Sequence, residues 1–577
     1  MILRHTVWSL LATCFSLTTL SACQKAETPV PAAGAPAVPA ATAITLGSEA
    51  SSAAQTIDES FLSQRIRELA DDAFEGRGPA STGDRKAREW IVNELQAAGL
   101  EPGAGDGQWQ QPFDIVGVTA KLPPKWTFSG PGNRKLALSF HDEYVGAGGT
   151  EDARVSFANA EVVFVGYGIQ APEFDWDDYK GADLEGKVLL MLNNDPDWDP
   201  ALFAGTTRLW YGRWDYKYLS AARQGAAGAI IIHTAPSAGY GFQVVQSGWD
   251  GEQFSLPSTG GPTTKVRTWV TEDAARRLVA LGGKQLAQLV ESAHSRDFRP
   301  VPLGVSTSLS FTQQVKHAQT ANVAGLLRGS DPQLAREVVV YSAHHDHLGI
   351  GPADANGDRI YNGATDNAAG VAQVLAIAKA FKALPVPPKR SVLFLMVGGE
   401  EQGLLGSDYY AQHPTFPAGR IAANINVDAA NVWGRASEVV FIGKGKSSLD
   451  DVVEAFAKTQ GRSVVADEHP DRGYFYRSDQ FSLAKIGVPA FMYEKSAKLR
   501  DRSAEAGEAA LKEWDEKRYH QPADEFDPAW NLAGMVEDAQ LAFYTGAYVA
   551  NTPELPAWKP GDEFEAARKT AIAAANR

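Results

Sequence analysis

The chain is nearly free of sulfur, with two cysteines and five methionines in 577 residues. Both cysteines, Cys14 and Cys23, fall within the first 23 positions. The remainder can therefore form no disulfide and offers a metal ion no thiolate. After the first 22 residues no run is long and apolar enough to cross a bilayer. A basic excess is also missing. The formal net charge of -15 argues against nucleic acid or an anionic membrane surface as the main partner. Internal repeats are absent, which excludes solenoids and propellers. What is there is length: 577 residues exceed what one hydrophobic core organises, so two or more domains are expected.

Residues 1–22 read as a secretory signal, with Arg4 and His5 ahead of an apolar run through Trp8, Leu10, Leu11, Phe15 and Leu17. The closing Leu20-Ser-Ala-Cys23 resembles the lipobox of bacterial lipoproteins. That likeness implies Cys23 as the lipidated first residue of the mature chain. The alternatives are a plain signal peptide with an incidental cysteine, or a single-pass anchor. Gln24, where an Asp would retain the protein, resembles signals for delivery to an outer membrane. The expectation is an exported protein held by lipid rather than by a helix, facing the periplasm or the cell surface. Residues 23–56, dominated by Ala, Pro, Ser, Thr and Gly, read as a flexible tether with no capacity to bury a core.

Ordered sequence is expected from about Ile57. In residues 57–115 the clearest element is an amphipathic helix from Thr82 to Leu100, with Ala87, Trp90, Ile91, Leu95 and Ala98 on one face. Residues 116–304 change to short β-rich segments separated by Gly, Pro and Asp. Strands are expected at 161–169, 186–192 and 228–233, and His233 reads as a strand-end residue rather than a ligand. Residues 305–550 alternate buried strands with helices, the signature of a mainly parallel sheet flanked by helices. Strands fall at 337–342, 391–397, 422–427, 438–442 and 488–493, with helices at about 367–384 and 533–550. The tail, 551–577, holds a Pro-rich link and a charged helix-former.

Five short motifs in this second half carry chemistry: His344-His-Asp-His347, Gly363-Ala-Thr-Asp-Asn367, Glu400-Glu401, Asn426-Val-Asp428 and Tyr519-His520. Alone, each is weak. Three of them come directly after predicted strands and Asp366 opens a helix. In an open α/β sheet, ligands collect beyond the carboxyl ends of the strands. Imidazole plus carboxylate without sulfur suits zinc, with manganese or cobalt as alternatives. Two His and three carboxylates, one of them bridging, suffice for two ions about 3.5–4 Å apart. A sixth group must then take the proton of an activated water, and a carboxylate adjacent to a ligand is placed for it. In an extended segment His344 and Asp346 point one way and His345 the other. This favours His344 over His345 as ligand, with His347 as a further alternative.

The strings Ala343-His-His-Asp-His-Leu-Gly349, Gly363 to Gly370, Glu400-Glu-Gln-Gly-Leu-Leu-Gly-Ser407 and Asn426-Val-Asp428 resemble metallopeptidase family 28. These are dizinc aminopeptidases and their carboxypeptidase relatives. The likeness implies a zinc-exopeptidase fold of phosphorylase/hydrolase type. Residues 57–115 and 305–550 would then form the catalytic domain. Residues 116–304, including Trp176 to Lys187, resemble an inserted protease-associated domain. The family pattern implies His344 and Asp428 on one zinc, Glu401 and His520 on the other, and Asp366 bridging both. Glu400 would be the general base. Asp346 would receive the second ring N–H of His344. Tyr519 would either bind the oxyanion or serve as a packed aromatic. Arg477, Ser478 and Asp479 occupy a substrate-side loop, and Asp524 either supports the His520 loop or is simply exposed. Two departures bear on the pocket: Thr365 stands where an acidic residue is common, and Ala429-Ala-Asn-Val-Trp433 comes after Asp428.

The implied activity is release of N-terminal residues from peptides. A carboxypeptidase or dipeptidase is the nearest alternative, and it would need cations that the sequence does not place. A single-zinc cyclase acting on N-terminal glutamine conflicts with the full ligand set. So does a binding protein with a decayed metal site.

Overall fold

The computed structural model describes residues 44–249 and 251–577. The expected signal, Cys23 and most of the tether lie outside the described residues. The last part of that tether is a helix, Ser48–Ala54, which corrects the expected start of order near Ile57. Alanine is the strongest helix former, and Ala50, Ala53 and Ala54 bury on the spacing of one helical face. They pack against the helices Ala369–Ala383 and Ala533–Asn551.

The α/β body is built on four adjacent parallel strands, in the order Ser391–Val397, Val338–His344, Ile421–Asn426 and Ala490–Glu494. The first three are buried at every position, as strands covered by helices on both faces must be. Antiparallel strands extend the sheet at both sides, Val301–Leu327 beside Ser391–Val397 and Glu438–Ile442 beside Ala490–Glu494. The fold is thus a mixed, mainly parallel sheet with flanking helices, as expected. Among the described residues no helix is long and apolar enough to cross a membrane.

The β-rich region has cores of its own, one around Trp126, Phe128, Phe164 and Leu278, another around Tyr179, Tyr218 and Trp269. Its centre is also parallel: Arg154–Phe164, Val188–Leu192, Gly228–His233 and Val266–Thr271 lie side by side. The expected boundaries at 116 and 304 fall inside strands rather than in linkers. Gln110–Lys121 pairs along Val301–Leu327 through twelve residues, from Lys121 opposite Thr312 to Gln110 opposite Val323. The 27-residue strand Val301–Leu327 runs from one core into the other. A composition change could not reveal this, because the strands stay alternating and polar across the junction.

The tail also packs. Arg568 is buried and donates to the Ile421 carbonyl at 2.8 Å, and the Trp558 indole donates to the Gly487 carbonyl at 3.1 Å.

Candidate metal centre

The register brings the motifs together. His344 is the last residue of its strand and lies opposite Val397, while Ser342 lies opposite Asn426. The three strands end nearly level. The carboxylates just beyond them (Asp346, Glu400 and Glu401, Asp428) therefore emerge at one sheet edge. Asp366 comes from a wide turn, Ala364–Ala368, that precedes the helix Ala369–Ala383. Gly363 opens this turn at φ 55°, and a Cβ there would stand 2.6 Å from the His347 ring, so only glycine fits. His520 arrives after the helix Ala504–Lys517, itself at φ 57°.

Asp366 sits between two imidazoles, one to each oxygen. Its Oδ1 lies 3.2 Å from His344 Nε2, and its Oδ2 lies 3.4 Å from His520 Nε2. Asp428 Oδ1 approaches His344 Nε2 at 3.0 Å, and Glu401 Oε2 approaches His520 Nε2 at 3.1 Å. Two clusters therefore share one carboxylate. His347 joins the second one, with Nδ1 2.6 Å from the other Glu401 oxygen, Oε1.

The donor set fits a metal. His344 Nδ1 lies 3.1 Å from the Asp346 carbonyl, which can only accept, so Nδ1 carries the hydrogen. Nε2 then turns a lone pair toward two carboxylates, which are acceptors too. Only a proton or a cation between them makes that arrangement favourable. The titration shifts have the same origin. Burial opposes the charged form of His520, yet Glu401 and Asp366 raise it to about 10. Burial likewise opposes ionisation of Glu401, but His520 and His347 hold it down at about 2. Glu400 behaves differently: burial pushes it well above the usual carboxylate range, Asp428 and Glu401 add to this, and His344 opposes it.

The supporting contacts correct one expectation. The Asp346 carboxylate stands 3.9 Å from His344 Nδ1, and the ring is oriented by the Asp346 backbone carbonyl instead. The carboxylate accepts from the Glu400 amide at 3.1 Å and the Glu401 amide at 3.4 Å. Asp346 thus fixes the glutamate pair rather than the imidazole tautomer. Asp524 is buried, not exposed; it accepts from the Thr365 hydroxyl at 2.7 Å and the Asp366 amide at 3.1 Å. Thr365 in turn accepts from the Trp514 indole at 2.9 Å.

Sequence reading missed Arg77. It is fully buried at φ 52° and joins two of the candidate ligand loops. Nε donates to the His345 carbonyl at 2.8 Å, Nη1 to Asn362 at 2.6 Å and Leu69 at 2.9 Å, and Nη2 to Gly363 at 2.9 Å. Asp84 was missed as well. On the helix Thr82–Ala97, it lies 3.1 Å from His345 Nε2 and accepts from Thr320 at 2.9 Å, so His345 faces away from the metal cluster. Nothing local in Asp72 to Pro79 says what its arginine reaches.

A cavity of about 1000 Å³ opens over Asp366, Glu400, Asp428 and His520. Arg477 and Tyr519 line it. Ser478 also reaches its wall but is tied to Asn426 Nδ2 at 2.7 Å. Asp479 is fully buried and forms no part of the lining, so the expected substrate contact is withdrawn for it. It is missing from the wall because the helix Gln480–Lys485 begins there and turns it inward. His233 lies buried at its strand end among Tyr240, Phe242 and Trp269, as expected.

A mainly parallel sheet that gathers imidazoles and carboxylates at its carboxyl edge defines the class, an α/β protein with a candidate two-ion centre. Residues 322–544 match the model of Peptidase family M28. A probable leucine aminopeptidase 2 of Aspergillus oryzae is 32% identical over 233 residues, 40% of this chain and 35% of that protein. A probable zinc metalloprotease of Pyrenophora tritici-repentis is 37% identical over 109 residues, 19% of this chain and 24% of that protein. The chain thus spans about a third or less of these curated relatives. An aminopeptidase from Aneurinibacillus sp. strain AM-1 shares the fold at a TM-score of 0.52 and 18% identity, covering 88% of this chain and 97% of that one.

Proposed function

We propose that the protein is a zinc-dependent exopeptidase, an aminopeptidase, with two ions sharing Asp366. The observation that carries this reading is the one-oxygen-to-each-imidazole geometry of Asp366. His344 and Asp428 would complete one site, Glu401 and His520 the other, while His347 holds the second Glu401 oxygen. Two zinc ions bound there would polarise the scissile carbonyl and acidify the attacking water.

The residues supply the rest. Glu400 lines the cavity beside the cluster and its amide is held by Asp346. It takes one proton from the attacking water as the oxygen–carbon bond forms, then delivers it to the departing nitrogen as the carbon–nitrogen bond breaks. Burial keeps the Tyr519 hydroxyl protonated, well above its ordinary range, against the opposing pull of Arg477. It can therefore donate to the carbonyl oxygen as that oxygen gains charge.

Attack at the amino end is favoured by the relative named a leucine aminopeptidase. One observation favours the carboxypeptidase or dipeptidase reading: Arg477 supplies the cavity with a fixed cation of the kind a substrate carboxylate needs. Digesting a mixed peptide library decides between them. Loss of N-terminal residues is the expected result, and shortening from the carboxyl end overturns the assignment.

We read the segment 116–304 as an inserted protease-associated domain. The lipobox-like Leu20–Cys23 supports export and lipid anchoring through Cys23. Membrane association lost on Cys23→Ala would agree; association unchanged in that variant would contradict it.

A further inference from the structure

The β-rich region reaches the candidate centre at one place. Between the strand Gly228–His233 and the helix Phe242–Gly248, the chain passes along the cavity wall, and Tyr240 lines it together with Arg477 and Tyr519. Arg477 has an unusual environment for a buried cation. It packs against the rings of Tyr240 and Tyr474 and, among the described residues, forms no ion pair with a carboxylate. The guanidinium carbon lies 5.3 Å from the Tyr240 ring centre and 4.9 Å from that of Tyr474. The Tyr519 hydroxyl shares the cavity wall with Arg477 and feels its charge. The Tyr519 and His520 rings lie with centres 4.0 Å apart and planes tilted by 31°.

The Tyr240 segment is pinned to the α/β body. The Arg208 amide donates to the Pro470 carbonyl at 2.9 Å and its guanidinium donates to the Ser237 carbonyl. A Cβ on Gly239 would meet the Arg472 side chain at 2.8 Å, so the two loops touch with no room between them.

The geometry points to Tyr240 as a positioning residue for Tyr519, acting through Arg477 and contributed by the β-rich region. A guanidinium with no carboxylate to fork onto is oriented by the ring faces it stacks against. Take away one face and the planar group can rotate. The charge beside the Tyr519 hydroxyl, which helps aim it at the developing oxyanion, is then displaced part of the time. This rests on the oxyanion role of Tyr519 proposed above.

The test uses the full chain and the peptide that the wild type cleaves fastest. Tyr240→Ala should lower kcat about tenfold with KM changed less than about twofold, because the aim of the donor matters in the transition state. Tyr240→Phe keeps the ring and should restore kcat to within about twofold. In a Tyr519→Phe background, Tyr240→Ala should add less than about a further twofold, since the coupled group is already gone. Unchanged kcat in Tyr240→Ala overturns the proposal, as does full additivity of the two changes or a Phe variant as impaired as the Ala one. If Tyr519→Phe itself keeps wild-type kcat, the oxyanion reading has failed and takes the proposal with it. A wild type that cleaves no peptide refutes the exopeptidase reading instead. Should Tyr240→Ala not fold, Tyr240→Leu retains bulk without the aromatic face and carries the same expectations.

Discussion

Two parallel regions of the sheet each end a strand on a histidine, and the two histidines have opposite fates. His344 closes Val338–His344, and His233 closes Gly228–His233. Both are buried. Around His344 a neighbouring strand end delivers Asp428, and the turn before the helix Ala369–Ala383 delivers Asp366. Although burial favours the neutral ring, Asp428 and Glu400 raise it well above the ordinary value. Around His233 the neighbours are Tyr240, Phe242 and Trp269, and burial drives the ring down to about 4. A strand end on a parallel sheet is therefore a place, not a site. Convergence of carboxylates on it makes the difference, and the residues just past the adjacent strands set that convergence.

The sharpest break of the comparison is Glu400→Gln. It removes the proposed proton carrier from the first sheet edge and leaves each candidate ligand in place. Turnover should fall about 10³-fold with zinc content unchanged; a variant within tenfold of wild type would remove Glu400 from its role. Arg77→Met tests what holds the first edge together. Four carbonyls lose their donor, so stability should drop by about 3–5 kcal/mol. Zinc affinity should fall about 10- to 100-fold through the loosened loops. Equilibrium unfolding and zinc titration read the two effects separately, and unchanged affinity would show the loops to be independent of the arginine.

The smallest effect belongs to the second edge. His233→Phe should alter turnover by less than about twofold, since an aromatic replaces a neutral ring among aromatics. Its signature is in pH. A histidine held at about 4 when folded and near its ordinary value when unfolded binds more protons in the unfolded chain between those limits. Its stabilising effect is full above pH 6.5 and is lost as pH falls toward 4. Comparing unfolding at pH 7 and pH 5, His233→Phe should lose less stability than wild type. An equal loss in both would mean that His233 is protonated in the fold.

The sheet edge was legible because short buried strands and the residues just after them are local signals. His344, Asp366, Glu400, Glu401 and Asp428 needed only strand boundaries accurate to a residue or two. Asp366 stands between the two imidazoles, one oxygen toward each. The illegible part lies at long range. Arg77 bonds to carbonyls 268 to 286 positions away, and Asp84 meets His345 across 261. No periodicity announces such pairs. The family resemblance assigned the Asp346 carboxylate to the imidazole. A loop that curls back lets its carbonyl reach that ring and sends the side chain to the Glu400 and Glu401 amides. The helix Ser48–Ala54 was lost to composition: an alanine-rich stretch reads as tether until a surface is there to bury it.

Everything at the first edge turns on Asp366 serving two ions at once. Strip the purified protein of metal, titrate zinc back, and count equivalents bound per folded chain. Two are predicted in the wild type, with both weakened in Asp366→Asn. One equivalent or none in the wild type, or two held undiminished by Asp366→Asn, would contradict the shared-carboxylate centre.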